Sequence, residues 1–255
     1  MKYIRKAIAL VLVAVFIAAV AIGLSVIFAV RNLNVFTVDY TAEDTDGDDE
    51  FAVAVVGIRE ELSQFEGRTI VTVNEDDISA IVAASGYAEY VSCEKVYPCT
   101  INVTVKERLE VFAVQNDDGT YSVLDENCEL ITSKSSNLNN LDGSPDVLLS
   151  APAEDYALIA SICRTFGEKF NSVRAFAESV TAVNDQILGE LLRIKLRCGV
   201  TMEIRDYKQH TDEKAEALFS AFDVTPDYLK LGGTMYCMET DSGAFRVILP
   251  DNTVV

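Results

Sequence analysis

Pro98-Cys-Thr-Ile-Asn-Val-Thr-Val-Lys-Glu-Arg108 decides the fold. From Thr100 to Lys106 it alternates with a period of two, putting Ile101, Val103 and Val105 on one face and Asn102, Thr104 and Lys106 on the other. That is the pattern of a strand with one buried side. Continued parity would carry Glu107 inward, an expensive place for an unpaired carboxylate, so the strand must bend or pair the charge there. After Arg108 the run Val111 to Val114 is apolar again, and one domain should end near residue 109 where a second core begins.

Working back from this strand, Tyr90 to Val96 reads as its partner, joined through a turn at Pro98. Asn74 is placed to cap a helix whose Asp76 and Asp77 suit its positive end, with Ile78, Ile81 and Val82 on one side and Gly86 as the stop. Phe51 to Phe65 carries Val55, Ile58, Leu62 and Phe65 at spacings of three and four, closed by Gly67. Leu33 to Tyr40 is β-branched enough for a first strand. The order is strand, helix, helix, strand, strand. Between the first strand and first helix lies the acidic insert Thr41 to Glu50. Asp44, Asp46 and Asp48 around Gly47 lack the ligand spacing of a calcium loop and read as a solvated connection.

Before all of this, Ala7 to Val30 holds no charge and no proline, and fifteen of its residues are Ile, Leu, Val or Phe. Its 24 residues reach about 36 Å as a helix, enough for a hydrocarbon core of about 30 Å. Lys2, Arg5 and Lys6 precede it, whereas after Arg31 no basic residue follows until Arg59. That asymmetry keeps the N-terminus cytoplasmic and the bulk of the chain outside. A cleaved signal peptide is the competing reading, with Ala19-Val20-Ala21 as its site, but the apolar run continues for nine further residues.

With 3 of the 21 basic residues ahead of the span and all 40 acidic ones beyond it, the outer part is net −22. Nucleic acid is excluded as a partner, since it needs a basic footprint. Neither a G-x-x-x-x-G-K-S/T nor a G-x-G-x-x-G phosphate loop is present, so no cofactor or small-molecule substrate is expected. His210 is the single histidine and rules out two-histidine zinc centres. The six cysteines, Cys93, Cys99, Cys128, Cys163, Cys198 and Cys237, form no C-x-x-C pair; buried thiols and disulfides both remain open.

Beyond the boundary, Val111 to Gln115 and Tyr121 to Leu124 form a hairpin turned at Asp117-Asp118-Gly119. Ser133 to Pro152 reads as a long surface connection with Leu138, Leu141, Val147, Leu148 and Leu149 as docking points, and Glu154 to Phe170 as an amphipathic helix. Leu192, Ile194 and Leu196, then Val200, Met202 and Ile204 across Cys198-Gly199, give a second hairpin. Its outer face bears Arg193, Lys195, Arg197 and Arg205 with Glu203, either a docking patch for acidic segments or cross-strand charge balance. Thr211 should cap a helix over Asp212 to Phe222. The strands Gly233 to Met238 and Ala244 to Leu249, turned at Asp241-Ser242-Gly243, finish the pattern before Pro250. A terminal strand suits a sheet edge, which is a template for pairing with another chain.

The stretch Pro98 to Arg108 resembles the P-x-T-L-x-I-x-V-x-E-R signature closing the POTRA domain of the FtsQ/DivIB family of bacterial cell-division proteins, through Pro98, Thr100, Ile101, Val103, Val105, Glu107 and Arg108. Gly67 to Asn74 is similar to the family's glycine-led link between two helices, and Gly119 to Asp125 to the strand that follows. The acidic insert departs from the family, as does Cys128 where its Asp-x-x-Gly turn has glycine. The resemblance implies an α+β chain. It would have a cytoplasmic tail (1–6), a transmembrane helix (7–30), a β-α-α-β-β POTRA domain (31–109), a mostly antiparallel β domain with flanking helices (110–250) and a short tail (251–255). It implies a non-enzymatic divisome scaffold at the septum, binding FtsL-like and FtsB/DivIC-like single-span coiled-coil proteins. Carried onto this chain, the partner edge is Ala244, Phe245, Arg246, Val247, Ile248 and Leu249. The alternative is a membrane-anchored extracellular hydrolase using a carboxylate pair among the many acids.

Overall fold

The computed structural model describes residues 2–38, 49–139, 143–170, 172–240 and 242–250. It is a mixed α+β structure that divides into two compact units between Arg108 and Leu109. Most of the acidic insert, Asp241 of the last turn and the tail 251–255 lie outside the described residues.

The first unit opens with α1 (Lys2–Ile27), the one described helix long and apolar enough to cross a membrane; Leu10–Ile27 has a mean hydropathy of 3.0 and none of it is buried. The elements β1 (Asn32–Val38), α2 (Glu50–Leu62), α3 (Glu75–Ala84), β2 (Ala88–Val96) and β3 (Thr100–Glu107) follow. The sheet order is β1-β3-β2, with β1 parallel and β2 antiparallel to β3. The predicted alternation places Ile101, Val103 and Val105 wholly inside, against Phe51, Ile58, Leu62, Ile78 and Val82 from the two helices. Asn74 caps α3 as expected, its Oδ1 accepting from the Asp76 N–H at 3.3 Å. Asp49 caps α2 through the N–H groups of Phe51 and Ala52. Gly67, after a 3-10 turn at Ser63–Phe65, takes φ +77, the left-handed stop that its position called for.

The second unit is a nine-stranded sheet. Its strands are β4 (Phe112–Gln115), β5 (Tyr121–Leu124), β6 (Leu130–Lys134), β7 (Val147–Ser150), β8 (Ala177–Asp185), β9 (Gly189–Leu196), β10 (Val200–Arg205), β11 (Gly233–Glu239) and β12 (Phe245–Ile248). They run in the order β12-β11-β10-β9-β8-β7-β4-β5-β6. Helices α4 (Tyr156–Phe170) and α6 (Thr211–Val224) supply Ile159, Ile162, Phe166, Leu218 and Phe219 to the core, and the short α5 (Val173–Phe176) follows α4.

The expectation of a mostly antiparallel domain holds for five of the eight pairings, but the sheet as a whole is mixed. The pairs β10·β11, β8·β7 and β7·β4 are parallel. For two of these pairs the reason is the helices, because a helical crossover returns the chain in the direction it left: α4 and α5 join β7 to β8, and α6 joins β10 to β11. The supposed surface connection Ser133 to Pro152 also holds the end of β6 and all of β7, a central strand. The segment 171–190, for which the sequence suggested no element, holds all of β8. Thr211 does not cap α6. His210 occupies that position at φ +50, and the Thr211 Oγ1 donates back to the Tyr207 carbonyl at 2.5 Å.

Candidate interaction surface

The residues singled out from the sequence fall in two places, one in each unit. Thr100, Ile101, Val103, Val105 and Glu107 lie on β3, the central strand of the first sheet; Pro98 is in the turn before it, and Arg108 follows it. Their positions are structural: Arg108 donates through Nη1 to the Gly86 carbonyl at 3.0 Å, and its N–H to the Tyr87 carbonyl at 2.9 Å. Glu107 ends β3 only half-buried, short of the full burial that parity would impose, and burial followed by the charge of Asp49 raises its pKa.

Phe245, Arg246, Val247 and Ile248 form β12, at one end of the large sheet; Ala244 and Leu249 flank it. Val247 and Leu249 face the core, Phe245 packs against it, and Arg246 is exposed. The strand pairs with β11 over four residues without a register shift. The Thr240 N–H donates to the Ala244 carbonyl at 2.8 Å. Antiparallel hydrogen-bonded pairs alternate, so Arg246 and Ile248 bond towards β11 while the N–H groups of Phe245 and Val247 point outward.

The described residues contain four sheet edges, and three of them are blunted. At β1 the Arg59 Nη2 donates to the Val35 carbonyl at 3.2 Å, occupying an edge acceptor. The β2 edge is broken by a bulge between Tyr90 and Ser92. The β6 pairing shifts register between Val123 and Leu124, and its Lys134 turns in to a buried ion pair with Glu110. Bulges and inward charges are the devices that keep edges from pairing. The β12 edge has neither.

The support behind β12 is unusually fixed. Lys214 on α6 is 1% exposed, and its Nζ donates to the carbonyls of Arg205 (3.0 Å) and Asp206 (2.9 Å), tying the end of β10 to the helix beneath the edge. Nearby Tyr207 donates to Asp155 Oδ2 at 2.5 Å; burial, then that hydrogen bond, pushes its phenol up to about 12. Sequence gave no sign of Lys214, because a lysine at a helical core position reads as a solvated one.

On the open face of the β9·β10 hairpin the basic residues are engaged within the chain. Arg193 donates through Nε and Nη2 to Glu203 Oε1 at 2.9 and 2.7 Å, and Lys195 pairs with Glu178 at 2.8 Å. Arg197 donates to the carbonyls of Arg174 and Pro145, and the Arg205 guanidinium lies 4.4 Å from the Tyr236 ring centre. Charge balance accounts for this face better than a docking patch does.

Buried carboxylates also have local work. Asp49 caps a helix, Glu110 pairs with Lys134, and Asp125 accepts from the N–H groups of Asn127 and Glu129. Asp146 pairs with Arg174, Asp155 with Lys208, and Glu203 with Arg193. Among the described residues no group of three or more His, Cys, Asp or Glu side chains is set to hold a metal ion. The six thiols are free; Cys128, Cys163 and Cys237 are buried. Cys128 stands at φ +59, so the turn position does take the left-handed backbone that favours glycine. No protein-family model matches the chain, and no curated protein matches it.

Proposed function

We propose that this protein is a membrane-anchored, non-enzymatic scaffold of bacterial cell division, resembling the FtsQ/DivIB family. Its bulk lies outside the cytoplasm, and β12 accepts an added strand from a small single-span coiled-coil partner of the FtsL or FtsB/DivIC kind. What supports the reading is the signature on β3, the order of strands and helices after one apolar helix, and above all the unblunted sheet edge at β12, single among the described residues. Backbone pairing would supply affinity there, and the exposed Arg246 a charge contact for specificity. Partners confined to the same membrane would meet this edge at raised effective concentration.

Two measurements test it. Val247→Pro removes an outward N–H without touching the β11 ladder, so a variant shown by circular dichroism to fold should lose co-purification with the division partners. In the unaltered protein, the amides of Phe245 and Val247 should gain protection from hydrogen exchange when the partner binds. Unchanged exchange at both amides in a formed complex would remove the edge-strand reading.

A further inference from the structure

The end of α1 is stitched into the first folded unit without a free linker. The Phe28 N–H still bonds to the Leu24 carbonyl at 2.9 Å, and the Arg31 Nη2 returns to the Val26 carbonyl at 3.1 Å. The next residues run beside 67–70: Ile70 N–H to Phe28 O is 2.7 Å, Val30 N–H to Arg68 O 2.8 Å, and Gly67 N–H to Val30 O 2.9 Å. On the other side the N–H groups of Arg31 and Asn32 both reach the Cys99 carbonyl, at 2.9 and 3.2 Å. Two loops, the 3-10 turn Ile70–Thr72 and the β2-to-β3 turn, are thereby held at the helix end.

Depth follows from helix geometry. The 18 residues Leu10–Ile27 are about 27 Å long, close to the ~30 Å thickness of the hydrocarbon core. Phe28 to Asn32, and whatever is hydrogen-bonded to them, then fall in the headgroup layer, which adds about 5 to 7 Å on each side. The side chains presented there are not those of a water-facing turn. Val71 is 64% exposed, Tyr97 57% and Val96 41%. Tyr97 meets Phe28 edge to face at 6.2 Å, an aromatic pair at the level where membrane proteins concentrate such rings. Arg31 and Arg68 are exposed beside them as cations for lipid phosphates, in a chain whose net −19 would otherwise repel an anionic surface.

We infer that Phe28, Val71, Val96 and Tyr97 form a collar that rests in the headgroup layer of the membrane crossed by α1, with Arg31 and Arg68 as its phosphate contacts. The inference rests on the reading of α1 as a span. Its partner is the bilayer surface itself, continuous with the span, and the collar would set the height and orientation of the first unit over the membrane.

The protein contains no tryptophan, so single tryptophans report without background. Four full-length variants, Phe16→Trp, Val71→Trp, Tyr97→Trp and Val53→Trp, are reconstituted in vesicles of phosphatidylcholine and phosphatidylglycerol whose acyl chains carry bromine at a shallow or a deep position. All four positions are exposed, and Val53 lies in the first turn of α2, at the other end of β1, about 20 Å from the junction. Phe16→Trp should be quenched by deep bromines. Val71→Trp and Tyr97→Trp should emit to the blue of the water value and be quenched by shallow bromines, with Val53→Trp unshifted and unquenched. If Phe16→Trp is quenched while either Val71→Trp or Tyr97→Trp behaves like Val53→Trp, the collar is overturned and the span stands. If Phe16→Trp itself is unquenched, the span fails and the collar with it.

Discussion

Glu107 ends β3 at a point where its strand parity points inward and its neighbour Asp49 is also acidic. Burial and that second charge hold its pKa above the ordinary carboxylate value, so the native state binds the proton more tightly than the unfolded chain does. The ionised form therefore costs stability above the folded pKa, and the cost fades as pH falls through it. Glu107→Gln should raise the melting temperature at neutral pH, with the gain shrinking in acid; a variant that melts no higher than the parent at pH 7 would contradict this. The strain at Glu107 was legible from Ile101, Val103 and Val105, because a period of two needs no knowledge of the rest of the chain. Asp49 was not legible as its neighbour, since only the folded unit brings the start of α2 to the end of β3. The same limit hid Lys214: its partners are two carbonyls, and backbone groups leave no trace in composition.

At the scale of elements, reading succeeded where the pattern was local. The helices α2 and α3, the cap of α3 at Asn74, the hairpins β4·β5 and β9·β10, and the last two strands lie within a few residues of their expected bounds. It failed at β6, β7 and β8. A four-residue interior strand such as Val147–Ser150 is too short to display a period, and its neighbours β4 and β8 come from distant sequence. The last hairpin shows how tightly an element can depend on one glycine. Gly233 opens β11 at φ +93, and a Cβ there would stand 2.8 Å from the Pro250 Cβ, just past β12. Gly233→Ala should destabilise the second unit by about 1 to 3 kcal/mol, through both the backbone conformation and the contact. A lowered denaturant midpoint checks it, and a midpoint equal to the parent's would show that Pro250 yields freely.

For the molecule as a whole, two separate cores divide the chain, one built on Val103 and Ile58, the other on Phe166 and Phe219, with no buried residue in common. A fragment of residues 109–255 should therefore fold alone and melt in one cooperative transition, as a domain with its own core does. A broad, non-cooperative melt of that fragment would show that it needs the first unit. The change of core near Arg108 could be read from the sequence, whereas the strand order could not, because it depends on which distant strands find each other. That order leaves a waist. Among the described strands the blocks β12 to β8 and β4 to β6 are joined in the ladder only through β7, which is in register with β4 at two residues and with β8 at three. Tension drawn sideways across the sheet from β12 meets four paired residues at β11 but only two at the β4·β7 seam. The ladder therefore has a mechanical fuse built into its pairing: under lateral load it should part in its middle before it releases the strand at its rim.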